Sequence, residues 1–168
     1  MIKKDEKEIS EKSEQGKKNR KSGGLFETKV RQDLEGLGWI VSKWVNTVDF
    51  DKEGKIGKIV PAKRKYNPFS KVLTIGTGFP DFVCFKRKFE EDYEVIGLEV
   101  KSNGYLDQIE KSMCFWLLEN KIFSRILIAK KSKGKKEMNK KSISPAIKLP
   151  EEGKGIEYID FKEKYNKT

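Results

Sequence analysis

The fold of this chain is decided by one stretch of sequence, GFPDFVCFKRKFEEDYEVIGLEVK, which spans residues 78–101. Two apolar runs, at residues 82–85 and 93–101, stand on either side of a charged link at residues 86–92. Short runs that are rich in Val, Ile and aromatic residues are typical of buried strands. The charged link predicts a turn, so the whole stretch predicts a β-hairpin.

Two carboxylates and one lysine stand at the ends of these predicted strands. Asp81 precedes the first strand, and Glu99-Val100-Lys101 closes the second. Because side chains alternate faces along a strand, Glu99 and Lys101 point the same way while Val100 faces the core. In a hairpin Asp81 lies across from them, and two carboxylates beside an ammonium group suit Mg²⁺ or Mn²⁺. The alternative interpretation is a structural salt bridge at a strand edge.

The composition narrows the chemistry that such a site can use. The 168 residues include 37 Lys and Arg, 26 Asp and Glu, and no His, which leaves a net charge of +11. The absence of His excludes Ser-His-Asp and Cys-His catalysis and leaves oxygen ligands for a metal. The positive charge favours a polyanionic partner such as nucleic acid, although lysines also keep a protein in solution.

The cysteines and the hydropathy of the chain indicate the cellular compartment in which we expect the protein. Cys84 and Cys114 lie in apolar runs without CxxC spacing, which argues against a disulfide framework or a zinc site. No stretch approaches the roughly 20 apolar residues of a membrane span, and the N-terminus lacks the apolar core of a signal peptide. We therefore expect a reduced, cytoplasmic setting and no membrane partner.

Helical and strand patterns on either side of the hairpin complete the predicted fold. After Gly23-Gly24, an apolar residue recurs every three or four positions over residues 26–37, which predicts a helix. Residues 106–120 carry a second amphipathic pattern of this kind. Further strands are predicted at residues 39–45, 125–129 and 156–161, the last at a sheet edge. This order predicts an α/β fold with a mixed central β-sheet flanked by helices.

The chain is predicted to divide into one domain and two tails. Residues 1–22 hold almost no apolar side chains and are predicted to form a disordered basic tail. Residues 23–161 form the domain, and residues 162–168 form a C-terminal tail. Within the domain, residues 46–78 predict a hairpin or long loop beside the site, and residues 130–145 predict a flexible basic loop.

This arrangement resembles the PD-(D/E)XK nuclease superfamily, whose first motif matches Pro80-Asp81 and whose second motif matches Glu99-Val100-Lys101. The resemblance implies a restriction-endonuclease-like core in which Asp81 and Glu99 bind the metal. It also implies the Val100 carbonyl as a third ligand and Lys101 as the catalytic lysine. The implied cofactor is Mg²⁺ or Mn²⁺.

Two helices hold further residues to which the resemblance points. The superfamily often places a glutamate in a helix before the sheet, and Glu27 fits this position as a catalytic residue and metal ligand. A surface ion pair between Glu27 and Arg31 is the alternative. In similar proteins a Gln precedes a Lys in the helix after the second motif. This chain has Glu110 before Lys111, with Gln108 two positions earlier, so the roles of Gln108 and Glu110 stay open.

Within the superfamily, the pattern Gly23-Gly24-x-x-Glu27 followed by the two motifs looks most like archaeal-type Holliday junction resolvases. That resemblance implies an Mg²⁺-dependent endodeoxyribonuclease, selective for branched DNA and acting as a homodimer. One alternative is a site-specific restriction or mobile-element endonuclease of the same fold. An alternative of another class is a catalytically inactive nucleic-acid-binding module, and a basic RNA-binding protein is a further one.

Basic residues outside the motifs are predicted to contact the phosphates of DNA. The alternative for each is a solvated surface lysine. The predicted contacts are Lys63, Arg64, Lys65 and Tyr66 in the segment before the hairpin, Lys111 in the second helix, and Lys130, Lys131 and Lys133 in the basic loop.

Overall fold

The computed structural model describes residues 2–51, 57–67, 72–75, 78–89, 92–132 and 155–165. In this part of the chain three helices and nine strands follow one another. They are α1 (Ile2–Gly36), β1 (Ile40–Lys43), β2 (Asn46–Phe50), β3 (Gly57–Pro61), β4 (Arg64–Asn67), β5 (Val72–Ile75), β6 (Phe82–Arg87), β7 (Tyr93–Val100), α2 (Gln108–Glu119), β8 (Arg125–Lys131), β9 (Ile156–Asp160) and α3 (Phe161–Tyr165).

Five of these strands form one mixed sheet in the order β1-β6-β7-β8-β9. β6 and β7 pair antiparallel with Phe82 opposite Leu98, which confirms the predicted hairpin. β7 and β8 run parallel, with α2 as their crossover, whereas β1 and β9 pair antiparallel at the two edges. The predicted α/β fold with a mixed central sheet is therefore confirmed, and so is the edge position of the last strand.

Different helices cover the two faces of the sheet. Leu98 of β7 belongs to a buried cluster with Leu34 of α1, and Val100 packs against that cluster, facing the core as predicted. Val83 of β6 belongs to a second cluster with Leu117 of α2. Burial of a Leu side chain contributes roughly 2 kcal/mol, so both layers stabilise the sheet between them.

Residues 46–78, predicted to form a hairpin or a long loop, contain two small antiparallel hairpins. β2 pairs with β3, and β4 pairs with β5. Val48 of β2 joins the buried cluster of α2, and the Thr47 hydroxyl lies 3.5 Å from the sulfur of Met113. The first hairpin therefore packs on the α2 side of the sheet.

α1 differs from the prediction at its N-terminus. It begins at Ile2 instead of Gly23, so residues predicted to form a disordered tail are helical. Gly23 and Gly24 lie inside the helix because each glycine costs only about 1 kcal/mol relative to Ala, while the frequent Lys and Glu on both sides favour helix. In the part of α1 whose side chains are described, burial begins at Phe26.

The C-terminal part also differs in two places. Lys130 and Lys131 pair with β9 as strand residues, so the predicted flexible loop cannot begin at residue 130. Pairing with β9 holds these lysines in a strand although the basic composition of the segment favours a loop. Residues 133–145 lie outside the described part of the chain. The first residues of the predicted C-terminal tail belong to α3, where Phe161 is fully buried. The division into one domain and two tails otherwise stays a prediction.

Candidate active site

The β6–β7 hairpin brings Asp81 and Glu99 together at the end of the central strands. The Asp81 N–H donates to Glu99 Oε2 at 3.1 Å, and the Val100 N–H donates to Asp81 Oδ2 at 3.0 Å. Each carboxylate therefore accepts a backbone hydrogen bond from the other strand. These two hydrogen bonds join the strand ends, and the two carboxylates lie side by side as the sequence predicts.

The segment before β6 is held in place by close backbone contacts. The Phe79 N–H donates to the Asn46 carbonyl at 2.9 Å, and the Trp44 N–H donates to the Asp81 carbonyl at 3.1 Å. A Cβ atom at Gly78 would lie 2.2 Å from the Trp44 carbonyl oxygen, so only glycine permits this approach. These contacts fix the backbone from which Asp81 projects.

Lys101 lies on the α2 side of the carboxylate pair. Its Nζ is 3.3 Å from Glu99 Oε1 and donates a hydrogen bond to Glu110 Oε1. Glu110 also completes the capping box of α2, since its Oε2 accepts from the Asp107 N–H at 2.9 Å. Glu110, whose role the sequence left open, therefore ties the lysine to the helix start, while the Gln108 side chain is exposed.

Glu27 reaches the site through Lys43, a residue that sequence reasoning missed. Lys43 Nζ is 2.6 Å from Glu27 Oε2 and 3.8 Å from Asp81 Oδ1. The alternative partner Arg31 bonds to Glu35 instead, at 2.8 Å. Strand alternation could have given the signal, because Lys43 lies two residues after a buried position on the α1 side of β1.

Burial makes the carboxylate pair costly to ionise. The Glu99 side chain is nearly inaccessible, and burial, reinforced by the charge of Asp81, raises its pKa from 4.5 to about 8. Burial also raises the pKa of Asp81, against the opposing effect of the Val100 hydrogen bond. Burial lowers the pKa of Lys101, but the carboxylates of Glu110 and Glu99 outweigh it, so the pKa is raised overall. Lys101 is therefore an ammonium group at neutral pH.

The formal charges of this cluster leave room for one divalent cation. Its carboxylates belong to Glu27, Asp81, Glu99 and Glu110, and its ammonium groups belong to Lys43 and Lys101. Two negative charges remain uncompensated when all of these groups are ionised. A single divalent ion would neutralise them, and the oxygen donors of the carboxylate pair fit a hard cation such as Mg²⁺.

The predicted metal ligands are carboxylate and carbonyl oxygens. In the described part of the chain, no group of three or more His, Cys, Asp or Glu side chains is arranged as metal ligands. The ligand set of Asp81, Glu99, the carbonyl of Val100 and Glu27 stays a prediction. In the structure Glu27 Oε2 lies 2.6 Å from Lys43 Nζ, which in turn lies 3.8 Å from Asp81 Oδ1.

α3 supports the loop that joins Lys101 to α2, which the sequence did not predict. Lys164 Nζ donates to the Gly104 carbonyl, and the Leu106 N–H donates to the Tyr165 hydroxyl oxygen at 3.3 Å. Gly104 has a φ of +73°, a conformation that favours glycine. The loop between the lysine and the helix is therefore held on a defined path.

The basic residues predicted to contact DNA occupy several places. Lys111 Nζ lies 4.9 Å from the Tyr165 ring centroid, on the helix that carries Glu110. Lys130 pairs with Glu157 at 3.0 Å, and Lys131 Nζ lies 5.5 Å from the Phe26 ring centroid. The others are exposed Lys63 between β3 and β4, Arg64, Lys65 and Tyr66 on β4, and Lys133 outside the described residues. Their contacts with DNA stay predictions.

No protein-family model matches the chain, and no curated protein or solved structure matches it either. Within the described residues, no helix is both long enough and apolar enough to cross a membrane.

Proposed function

We propose that this chain is a divalent-metal-dependent DNA endonuclease with a PD-(D/E)XK-like active site. The observation that carries the proposal is the cross-linked pair of Asp81 and Glu99, with the ammonium group of Lys101 3.3 Å from Glu99. Buried like charges are unfavourable without a cation. The two uncompensated charges of the cluster support Mg²⁺ or Mn²⁺ as that cation.

Asp81 and Glu99 would hold the metal, together with the carbonyl of Val100. When bound, a divalent ion stabilises charge that develops on phosphate oxygens. The hydrogen bonds from the opposite strand orient both carboxylates before any ion binds, because the Asp81 and Val100 amides fix one oxygen of each. The remaining oxygens, Asp81 Oδ1 and Glu99 Oε1, lie 3.8 Å from Lys43 Nζ and 3.3 Å from Lys101 Nζ, and a cation would share them with these two lysines.

Lys101 would supply a positive charge to the site. Its raised pKa keeps it protonated, so it would donate hydrogen bonds to a phosphate or to an attacking water and would not accept a proton. Glu110 would act as a positioning residue, since it bonds to Lys101 and to the N-cap of α2. Its fixed position limits where the ammonium group can move.

The substrate within this proposal is DNA, with branched DNA favoured by the resemblance to junction resolvases. A net charge of +11 supports binding to a phosphate backbone. A homodimer would supply the two sites that paired nicks require. The two buried cysteines are free thiols, which suits the reducing cytoplasm that we propose as its location.

A site-specific endonuclease is the second candidate, and the hairpins of residues 46–78 favour it. β4 carries Arg64, Lys65 and Tyr66 on a two-stranded ribbon. A two-stranded β-ribbon can enter the major groove of DNA and contact base edges. An inactive binding module is disfavoured because Asp81 and Lys101 are both present beside Glu99.

A cleavage assay separates these functions. Linear duplex, single strand, flap and four-way junction would each be incubated with Mg²⁺, Mn²⁺ or EDTA. We expect metal-dependent cleavage that Asp81→Asn reduces by at least about 100-fold, as for loss of a metal ligand. Asp49→Asn is the matched control, because Asp49 is exposed on β2. Undiminished cleavage by Asp81→Asn would refute the assignment, and equal cleavage of junction and duplex would favour the second candidate.

A further inference from the structure

Lys43 stands between two carboxylates of the site. Its Nζ lies 2.6 Å from Glu27 Oε2, 3.8 Å from Asp81 Oδ1 and 4.3 Å from the ring centroid of Phe82. The Lys43 side chain is 44% exposed, but its ammonium group has three neighbours within the site, unlike that of a lysine surrounded by water alone. The position of this charge is therefore part of the site.

The backbone of Lys43 is fixed relative to Asp81. Lys43 is the last residue of β1 and pairs with Phe82, the neighbour of Asp81 in sequence. The following residue, Trp44, donates its N–H to the Asp81 carbonyl at 3.1 Å. Because the strand register sets this arrangement, the ammonium group is delivered to the gap between α1 and Asp81.

We propose that Lys43 is the resident second cation of the site, so that the protein binds one divalent ion per chain. This inference rests on the proposed nuclease function. Many phosphoryl-transfer enzymes place two divalent ions about 4 Å apart between their carboxylates. In this chain the ammonium group of Lys43 takes the place that a second ion would have between Glu27 and Asp81.

The charge of the cluster supports a single ion. With both lysines present, one divalent ion neutralises the two uncompensated negative charges of the four carboxylates. A second divalent ion would leave two excess positive charges in a partly buried site, where water screens repulsion poorly. Glu27 therefore serves Lys43 and is not a ligand of the metal. Removal of Lys43 frees the Glu27 carboxylate, which would then hold a second ion beside the ion at Asp81 and Glu99.

The test counts Mn²⁺ ions bound to the whole chain without DNA, by the loss of the electron paramagnetic resonance signal of free Mn²⁺. We expect one ion for the wild type and for Lys43→Arg, which keeps the charge. Two ions are expected for Lys43→Ala and for Lys43→Met, whose longer side chain guards against local collapse. The control Lys58→Ala, which removes an exposed lysine of β3, keeps one ion.

A double substitution locates the second ion. Glu27→Gln in the Lys43→Met background should return the count from two to one, whereas Glu27→Gln alone should leave the single ion bound. Two ions on the wild type, or one on both Lys43→Ala and Lys43→Met, would overturn the role of Lys43 and leave the nuclease proposal standing. A wild type that binds no Mn²⁺ would overturn both.

Discussion

The burial of Glu99 should make the proposed metal binding depend on pH. Burial and the neighbouring charge of Asp81 raise the pKa of Glu99 from 4.5 to about 8 in the metal-free protein. A carboxylate binds a divalent ion in its deprotonated form, so the ion competes with a proton for this side chain. Metal affinity should therefore be greatest above pH 8 and should weaken as the pH falls through this value.

The size of the effect follows from the position of that pKa. With a pKa of about 8, Glu99 is about nine-tenths protonated at pH 7, so each bound ion should release close to one proton. Between pH 8 and pH 6 the apparent affinity should fall by about 50-fold, because the deprotonated fraction falls by that factor. Above about pH 9 the affinity should become independent of pH.

Isothermal titration calorimetry with Mn²⁺ measures both quantities. Titrations at pH 6, 7 and 8, each in two buffers of different ionisation enthalpy, give the affinity and the number of protons released. Glu157→Gln, which changes a half-exposed acid on β9 that pairs with Lys130, should behave as the wild type. A pH-independent affinity without proton release would refute a buried, protonated Glu99 in the metal-free site.

Four further outcomes are expected. In EDTA, Glu99→Gln should stabilise the protein against urea at pH 8 and not at pH 5. The pKa of Glu99 is higher in the folded than in the unfolded protein, so the free energy of unfolding falls by up to about 1.4 kcal/mol per pH unit as the pH rises between the two pKa values. Glu27→Ala should slow cleavage by about 10- to 100-fold, through misplacement of Lys43, with little change in melting temperature. Deletion of residues 1–22 should shift the melting temperature by no more than a few degrees, because burial in the described part of α1 begins at Phe26. DNA affinity should fall by orders of magnitude between about 50 and 200 mM salt, and a flat response would mean that the lysines make no phosphate contacts.

The hairpin and its two carboxylates could be predicted because both signals are local. Strand alternation alone places Glu99 and Lys101 on one face and Val100 on the other. The only long-range step was the pairing of two strands joined by a short charged link. That pairing has Phe82 opposite Leu98, which puts Asp81 across from Glu99.

The surroundings of the carboxylates could not be predicted in the same way. Lys43 depends on the register of β1 against β6, and α3 reaches the site from the far end of the chain. Such contacts join segments that are far apart in the sequence, and no periodic pattern of residues shows which distant segments will meet. The helix start at Ile2 was missed for a different reason, since Gly23-Gly24 looks like a boundary although the helix propensity of the Lys and Glu residues around it continues the helix through it.

The site repeats one arrangement on both faces of the sheet. On the α1 side, Lys43 joins the helix carboxylate of Glu27 to Asp81, and on the α2 side, Lys101 joins the helix carboxylate of Glu110 to Glu99. Each strand carboxylate thus meets a lysine whose other partner belongs to a helix. A shift of either helix would move an ammonium group relative to Asp81 or Glu99. If these carboxylates hold a metal as proposed, substitutions in the buried clusters beneath α1 and α2 should alter metal affinity even where they touch none of the charged residues.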